Sequence, residues 1–192
     1  MKQEASFYIK EYLDRLIEDI KALPAEQIIT VADVLRTAQL KGKRIFVMGN
    51  GGSAAAAAHF TCDLGKNTRQ PDQPRLRVIS LVDNLSGLTA YANDEGYENV
   101  FSEPLLSLAE QGDVAVAISG SGNSPNVLKA METAKRLGVI TVGLTGFEGG
   151  KLKSMVDYCI VVPSHNMERI EDLHLILNHL FTGLIRNAAK FS

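Results

Sequence analysis

The sequence predicts an α/β fold in which a five-stranded parallel sheet is covered by helices on both faces, a three-layer αβα architecture. Short runs rich in β-branched residues alternate with helical segments from residue 44 onwards. These runs are apolar nearly throughout, as in strands that are buried on both faces of a sheet. The chain has 192 residues, of which 45% are hydrophobic, enough for one α/β domain with a core. We therefore expect residues 1–192 to form one domain.

Two helices are predicted before the sheet begins. Apolar residues recur at helical spacing in the first of them: Ile9, Leu13, Leu16, Ile20 and Leu23. Pro24 follows and fits the first turn of a second helix over residues 25–40. We expect a helical hairpin over residues 1–41 and an α/β core over residues 42–192. The hairpin either packs on the core or builds an oligomer interface, and both can hold.

Five apolar runs after the hairpin have the length and composition of strands. They cover residues 44–48, 76–81, 114–118, 139–144 and 158–162, with helical segments between them and after the last. The crossovers between parallel strands should be right-handed. In such sheets ligands bind at the carboxyl ends of the strands. The turns after the first and third runs are therefore the candidate binding loops.

The charge and the cysteine content exclude several classes of function. The net charge is −2 and the Lys and Arg residues are scattered, whereas a nucleic-acid-binding protein presents a clustered basic face. Two separated cysteines, Cys62 and Cys159, indicate a reducing compartment. The charged, amphipathic N-terminus is unlike a signal peptide, and no apolar run approaches the length of a membrane span. We expect a cytoplasmic protein whose partners are neither nucleic acid nor membrane.

The turn after the first strand, Gly49-Asn50-Gly51-Gly52-Ser53, predicts an anion site. Glycines let the backbone approach a ligand, and the following helix offers free N–H groups and a positive dipole end. A plain turn with Ser53 as the N-cap is the alternative. The spacing Gly49-x-Gly51-x-x-Ala54 loosely fits a dinucleotide fingerprint, but Asp83 lies too far along the chain to be its ribose partner. No Gly-Lys-Ser/Thr follows, which excludes a Walker loop.

The turn after the third strand carries three hydroxyls beside two glycines. These residues are Ser119, Gly120, Ser121, Gly122 and Ser124, at the start of a helix over residues 125–137. Hydroxyls and backbone N–H groups can encircle a phosphate without a cationic side chain. A dinucleotide does not need this second cradle, whereas a phosphate monoester does. The alternative is a serine-rich turn with Ser124 as the N-cap.

Three of the four histidines fall on two predicted helices that could face one cleft. His59 and Asp63 share a helix face because they are four residues apart. An imidazole and a carboxylate one turn apart can bind a metal or share a proton. Glu171 and His174 lie three residues apart on the last helix, and His179 follows. A lone helical histidine with a structural role is the alternative, but the two sets together favour a site.

The segment ISGSGNSPNVLKA, with GNGGSAAAAAHF before it, resembles the SIS (sugar isomerase) domain family. More narrowly, the chain is similar to the phosphoheptose isomerases, which convert sedoheptulose 7-phosphate to D-glycero-D-manno-heptose 7-phosphate. The resemblance covers nearly the whole chain, including both helices, both turns, Ala92-Asn93-Asp94, Leu144-Thr145-Gly146 and residues 169–174. It implies a single SIS domain with a flavodoxin-like sheet, and a homotetramer with its sites at subunit interfaces.

The resemblance also implies roles for individual residues. Asp63 would move a proton between C1 and C2 through a cis-enediol, and His179 would be the acid/base at the sugar oxygens. Zinc would be held by His59, Asp63, Glu171 and His179, although another divalent ion suits two carboxylates as well. This sequence departs from the family pattern twice, with Asp63 in place of Glu and Glu171 in place of Gln. These two departures could mean a changed substrate, a changed requirement for metal, or a loss of activity.

The same resemblance places the substrate against the two turns. Phosphate would be held by Ser53, Ser119, Gly120, Ser121 and Ser124, and the sugar by Asn50, Gly51, Gly52, Asn93, Asp94 and Glu171. Such short polar side chains do not separate a heptose from another ketose phosphate. The alternative function is a non-catalytic SIS protein that binds a phosphosugar or regulates a replication initiator. Such a chain tends to lack the acid/base carboxylate, so Asp63 favours the enzyme.

Overall fold

The computed structural model describes residues 2–191. The helices are α1 (Lys2–Lys21), α2 (Ala25–Leu40), α3 (Gly52–Asn67), α4 (Leu85–Asp94), α5 (Ser102–Leu108), α6 (Pro125–Arg136), α7 (Leu152–Met155) and α8 (Met167–Arg186). The strands are β1 (Arg44–Gly49), β2 (Arg77–Ser80), β3 (Val114–Ile118), β4 (Ile140–Thr145) and β5 (Tyr158–Val161). Short 3-10 helices cover Tyr97–Asn99 and Ala188–Lys190. Within residues 2–191, no helix combines the length and the hydrophobicity that crossing a membrane would require.

The strands form one parallel sheet in the order β2-β1-β3-β4-β5. This order confirms the predicted flavodoxin-like α/β fold. The chain leaves β1 for β2 on one side and returns to β3 on the other, so the strand order reverses between β1 and β3. Gly49 pairs with Ile118 at the carboxyl ends of these neighbouring strands. The two candidate loops therefore leave the sheet side by side, where α/β proteins bind their ligands.

Alternate side chains of the strands enter two separate cores, as the period of a strand requires. On β1, Ile45 and Val47 pack in the core shared with α2, α3 and α8. Phe46 and Met48 point to the opposite face and pack with α5, α6 and α7. Full burial of an apolar side chain of this size stabilises the fold by about 1.5–3 kcal/mol. The helix, sheet and helix layers are thus held by two independent sets of contacts.

The alanine run places α3 close against the sheet. Ala57 and Phe60 are fully buried in the core beneath this helix, and alanine is the best helix former with the smallest side chain that a helix accepts. α3 begins at Gly52, after Gly51 as its N-cap residue. The interpretation of Ser53 as the N-cap was therefore wrong, since Ser53 lies inside the first turn. His59 and Asp63 follow further along the same helix.

The N-terminal helix is attached mainly by polar contacts, and none of its described residues is buried. Tyr12 donates a hydrogen bond to Asp172 on α8, which raises the pKa of Tyr12 to about 12. Arg169 Nε of α8 lies 2.9 Å from Asp19 Oδ2. Leu16 also packs on the core beneath α1. The hairpin therefore packs on the domain as predicted, although Pro24 precedes the second helix instead of lying in its first turn.

Candidate active site

The two loops after β1 and β3 enclose one cavity. It is lined by Asn50, Gly51, Gly52, Ser53, Ile118, Ser119, Gly120, Ser121, Ser124, Met167 and Glu171. Eight of the residues expected to bind phosphate or sugar belong to these loops and line this cavity together. Glu171 of α8 lines it as well. We call this space the loop cavity, and residues 119–124 the serine loop.

The serine loop brings two of its hydroxyls together, while the Ser121 hydroxyl accepts from the Asn123 N–H at 3.2 Å. Ser124 is the N-cap residue of α6, but its side chain makes no capping hydrogen bond. Its hydroxyl lies 3.4 Å from the hydroxyl of Ser119. The backbone N–H of Gly122 donates to the Ser119 carbonyl at 3.0 Å, which closes the loop. Hydroxyls gathered in this way can surround an anion without a cationic side chain.

Asn50 is held by a side-chain network that was not predicted from the sequence. Its amide exchanges two hydrogen bonds of 2.8 Å with the buried amide of Asn126. Tyr97 donates a third hydrogen bond to the Asn50 side-chain oxygen at 3.0 Å. Asn126 Oδ1 also accepts from the N–H of Val127 in the first turn of α6. Asn50 therefore joins the first loop to the helix that follows the serine loop.

The predicted pair on α3 meets a histidine of α8. Asp63 Oδ2 lies 3.2 Å from His59 Nε2 and 3.5 Å from His179 Nε2. The two imidazole rings contact edge to face, with centroids 5.2 Å apart. The Asp63 side chain is 11% exposed, whereas those of His59 and His179 are 43% and 58% exposed. We call these three residues the histidine cluster, in which a buried carboxylate supports two accessible imidazoles.

Two asparagines that were not predicted hold the Asp63 carboxylate. Asn67 donates to Oδ1 at 2.9 Å, and Asn178 donates to Oδ2 at 3.1 Å. Asn67 follows Asp63 by one helical turn, a spacing that could have indicated the contact. Asn178 comes from α8 and is almost fully buried. Each carboxylate oxygen therefore accepts an amide hydrogen bond, and the short Asp63 side chain is fixed in place.

Glu171 lies apart from the histidine cluster and against the start of α3. A Cβ added at Gly52 would overlap its carboxylate, with Cδ only 2.6 Å away. Only a glycine at position 52 permits this approach. Among residues 2–191, no hydrogen bond or ion pair reaches the Glu171 side chain. Glu171 lines both the loop cavity and a groove beside His59, so it connects the two parts of the site.

The structure brings together three of the four expected metal ligands. Donor atoms of His59, Asp63 and His179 lie within 4.8 Å of one another. Glu171 is not part of this group within the described residues. Two imidazole nitrogens and one carboxylate oxygen are ligands that divalent zinc accepts, and three protein ligands leave a position open in a catalytic site. The cluster therefore has the composition of a metal site.

Five predicted residues line neither the loop cavity nor the groove beside His59. Asp63 and His179 are near the groove through their contacts with His59, whereas the other three lie elsewhere. His174 is buried in the protein, where burial lowers its pKa to about 4 against an opposing contribution from the Thr145 backbone. It does not face the cleft that was expected for three histidines. Asn93 and Asp94 end α4 on the surface, and Asn93 donates to Asp94 at 2.7 Å. Neither lines the loop cavity or the groove beside His59.

Two relatives of similar sequence are named as phosphoheptose isomerases. The chain is 38% identical over 186 residues to the phosphoheptose isomerase of Aneurinibacillus thermoaerophilus, an alignment that covers 94% of this chain and 93% of that protein. It is 40% identical over 176 residues to the probable phosphoheptose isomerase of Thermoplasma acidophilum, which covers 92% of this chain and 96% of the relative.

Solved structures and the domain pattern agree with these relatives. The phosphoheptose isomerase of Neisseria gonorrhoeae superimposes with a TM-score of 0.86 at 32% identity, covering 96% of this chain and 97% of that one. That of Francisella tularensis gives a TM-score of 0.87 at 30% identity over the same shares. The SIS domain family matches residues 8–146. The chain therefore belongs to the SIS domain family and, within it, to the phosphoheptose isomerases.

Proposed function

We propose that this chain is an aldose–ketose isomerase that converts sedoheptulose 7-phosphate to D-glycero-D-manno-heptose 7-phosphate. One observation carries the proposal: the loop cavity and the groove beside the histidine cluster share Gly52 and Glu171 as lining residues. His59 lines the groove and contacts Asp63 and His179, so the anion cradle and the histidine cluster adjoin each other along α3. A sugar whose phosphate occupies the first would extend its carbon chain toward the second.

The phosphate is held by neutral groups in this proposal. Hydroxyls of Ser53, Ser119, Ser121 and Ser124 and the backbone N–H groups of the two loops donate to its oxygens. The first turn of α3 adds the positive end of the helix dipole. Asn50, Gly51 and Gly52 border the sugar, while Asn93 and Asp94 would reach it only from the surface of α4. Binding at the phosphate end fixes the reacting carbons, which is the main requirement for proton transfer.

Asp63 and His179 are the proposed acid/base pair. Asp63 removes a proton from C1 of the ketose while His179 donates one to the oxygen on C2, which gives the cis-enediol. His179 then removes the proton from the oxygen on C1, and Asp63 returns its proton to C2 to give the aldose. Atoms and charges balance over the cycle. The amide hydrogen bonds from Asn67 and Asn178 hold Asp63 in position for both transfers.

The histidine cluster also suits a zinc ion, which would be held by His59, Asp63 and His179. The Glu171 carboxylate lies against Gly52 instead and is not counted among these ligands. Bound zinc would polarise the carbonyl of the sugar. A carboxylate cannot be a tight metal ligand and a free base in the same step, so Asp63 performs one of these roles at a time. Another divalent ion would meet the same ligands.

We further propose a cytoplasmic homotetramer. α1 turns apolar side chains to its outer surface, among them Ile9, Leu13 and Ile17, which are 58%, 51% and 49% exposed. An apolar stripe of this kind is covered in most stable proteins. The imidazoles of the histidine cluster are about half exposed on this chain, and a neighbouring subunit would shield them. The non-catalytic alternative is not favoured, because the relatives are named as isomerases.

Turnover of sedoheptulose 7-phosphate by purified protein tests the function, with and without added zinc. Asp63→Asn is the matched variant, and Asp72→Asn, at an exposed loop position, is its control. We expect turnover by the wild type and by the control, and a loss of about a hundredfold or more in Asp63→Asn. A folded Asp63→Asn protein with full activity would remove Asp63 from the mechanism. No turnover by a wild type that still binds phosphosugar would favour the non-catalytic function.

A further inference from the structure

The serine loop rests on a second turn, whose residues line neither the loop cavity nor the groove beside His59. This turn follows β4 and comprises residues 146–151; we call it the supporting turn. Three backbone N–H groups near or within it donate across to the serine loop. Gly146 donates to the Gly120 carbonyl at 2.9 Å, Lys151 to Asn123 Oδ1 at 3.1 Å, and Leu152 to the Gly122 carbonyl at 3.0 Å.

Glycines face each other where the two segments touch. Gly122 and Gly150 both have left-handed backbone conformations, with φ of +63° and +56°. A Cβ at Gly122 would overlap the carbonyl of Gly149. A Cβ at Gly150 would overlap the Ser121 carbonyl oxygen and lie 2.7 Å from Gly122 C and O. Since the contacts are backbone on backbone, no side chain can move aside to make room.

The position of the serine loop therefore depends on the supporting turn. Phosphate binding by backbone N–H groups and hydroxyls uses no cationic side chain, so it depends on where the donors lie. We propose that Gly150 is a positioning residue for phosphate binding: its missing side chain lets the supporting turn approach Ser121 and Gly122 of the serine loop and hold the donors of that loop in place. This inference rests on the proposed function, because it assigns phosphate to the serine loop.

Gly150→Ala is the direct test, and Gly42→Ala is its matched control. Gly42 has a φ of +65° but nothing within 4 Å of an added Cβ, so both variants carry left-handed strain and only Gly150→Ala displaces the serine loop. We expect Gly150→Ala to raise both Kd for inorganic phosphate and KM by about fivefold or more, since one weakened hydrogen bond has roughly this effect. We expect kcat to stay within about twofold, because the histidine cluster is not touched.

Asn123→Ala gives an independent test without backbone strain. At this exposed position it removes the hydrogen bond from the Lys151 N–H, together with the one that Asn123 Nδ2 donates to the Ser121 carbonyl at 2.9 Å. It should also raise Kd for inorganic phosphate with kcat preserved, and it decides the matter if Gly150→Ala does not fold. Phosphate affinity in Gly150→Ala and Asn123→Ala equal to that of Gly42→Ala would overturn the positioning role. A wild type that turns over no heptose phosphate, or binds no phosphate, would instead overturn the proposed function.

Discussion

Asn178 on α8 donates a hydrogen bond to the Asp63 carboxylate on α3, with Nδ2 3.1 Å from Oδ2. This contact joins the two helices that carry the histidine cluster. Its partner on the other oxygen is Asn67, which belongs to the same helix as Asp63. Asn178 is therefore the amide that fixes Asp63 relative to His179, its neighbour on α8.

Replacing Asn178 should loosen this arrangement. In Asn178→Leu, a buried carboxylate oxygen loses a donor, which we expect to destabilise the fold by about 1–3 kcal/mol. The rate should fall by about tenfold or more, because Asp63 is no longer held toward the substrate. Thermal unfolding and kcat measure the two effects. Thr182→Val is the control, at a buried position one turn along α8; an equal loss of kcat there would show that packing alone accounts for the effect.

Zinc binding should depend on His59, Asp63 and His179 and not on Glu171. His179→Ala removes one of the three donors that lie within 4.8 Å of one another, and we expect the zinc affinity to fall by about tenfold or more. Glu171→Gln should change it by less than about threefold, since that carboxylate lies against Gly52. Calorimetric titration of each purified protein with zinc gives the affinities. Equal losses in the two variants would restore Glu171 to the ligand set.

His174 should make the protein less stable at mildly acidic pH. Its pKa is lowered in the folded protein to about 4, from the ordinary value of 6.5, because the ring is buried. The unfolded chain therefore binds the extra proton first, and stability is lost as pH falls from 6.5 toward 4. Lowering the pH from 7.5 to 5 should reduce the free energy of unfolding by about 2 kcal/mol through this group alone.

Urea unfolding of the wild type and of His174→Asn at these two pH values isolates this contribution, because the other titrating groups are shared. The variant should lose less stability on acidification than the wild type. Identical losses in both proteins would mean that the His174 ring accepts its proton in the folded state as readily as in the unfolded one.

The outer face of α1 should be required for assembly. Leu13→Asp places a charge in the apolar stripe that also includes Ile9 and Ile17, and we expect it to shift the protein toward smaller species at micromolar concentration. Light scattering coupled to size-exclusion chromatography measures the mass. Glu11→Gln, at an exposed position on the same helix, should leave the mass unchanged. A Leu13→Asp protein with the wild-type mass would exclude α1 as the contact.

Residues at fixed helical spacing were predictable, and contacts between elements were less so. The His59/Asp63 pair follows from the i, i+4 geometry of one helix, and both glycine-rich loops follow from the strand pattern. The approach of Asn178 to Asp63 depends on how α8 rotates against α3, which no local pattern sets. Glu171 illustrates the same limit, because its position against Gly52 arises where α8 meets the start of α3. The supporting turn is likewise defined only after β4 pairs with β3.

The attachment of α1 has a consequence for how activity would depend on protein concentration. Tyr12 and Asp19 bind Asp172 and Arg169, which flank Glu171 on α8, the helix that also carries His179. If subunits associate through the outer side of α1, this helix contacts α8 on its inner side and the neighbouring subunit on its outer side. In the free chain only the contacts with α8 remain. Specific activity would then fall on dilution in step with dissociation.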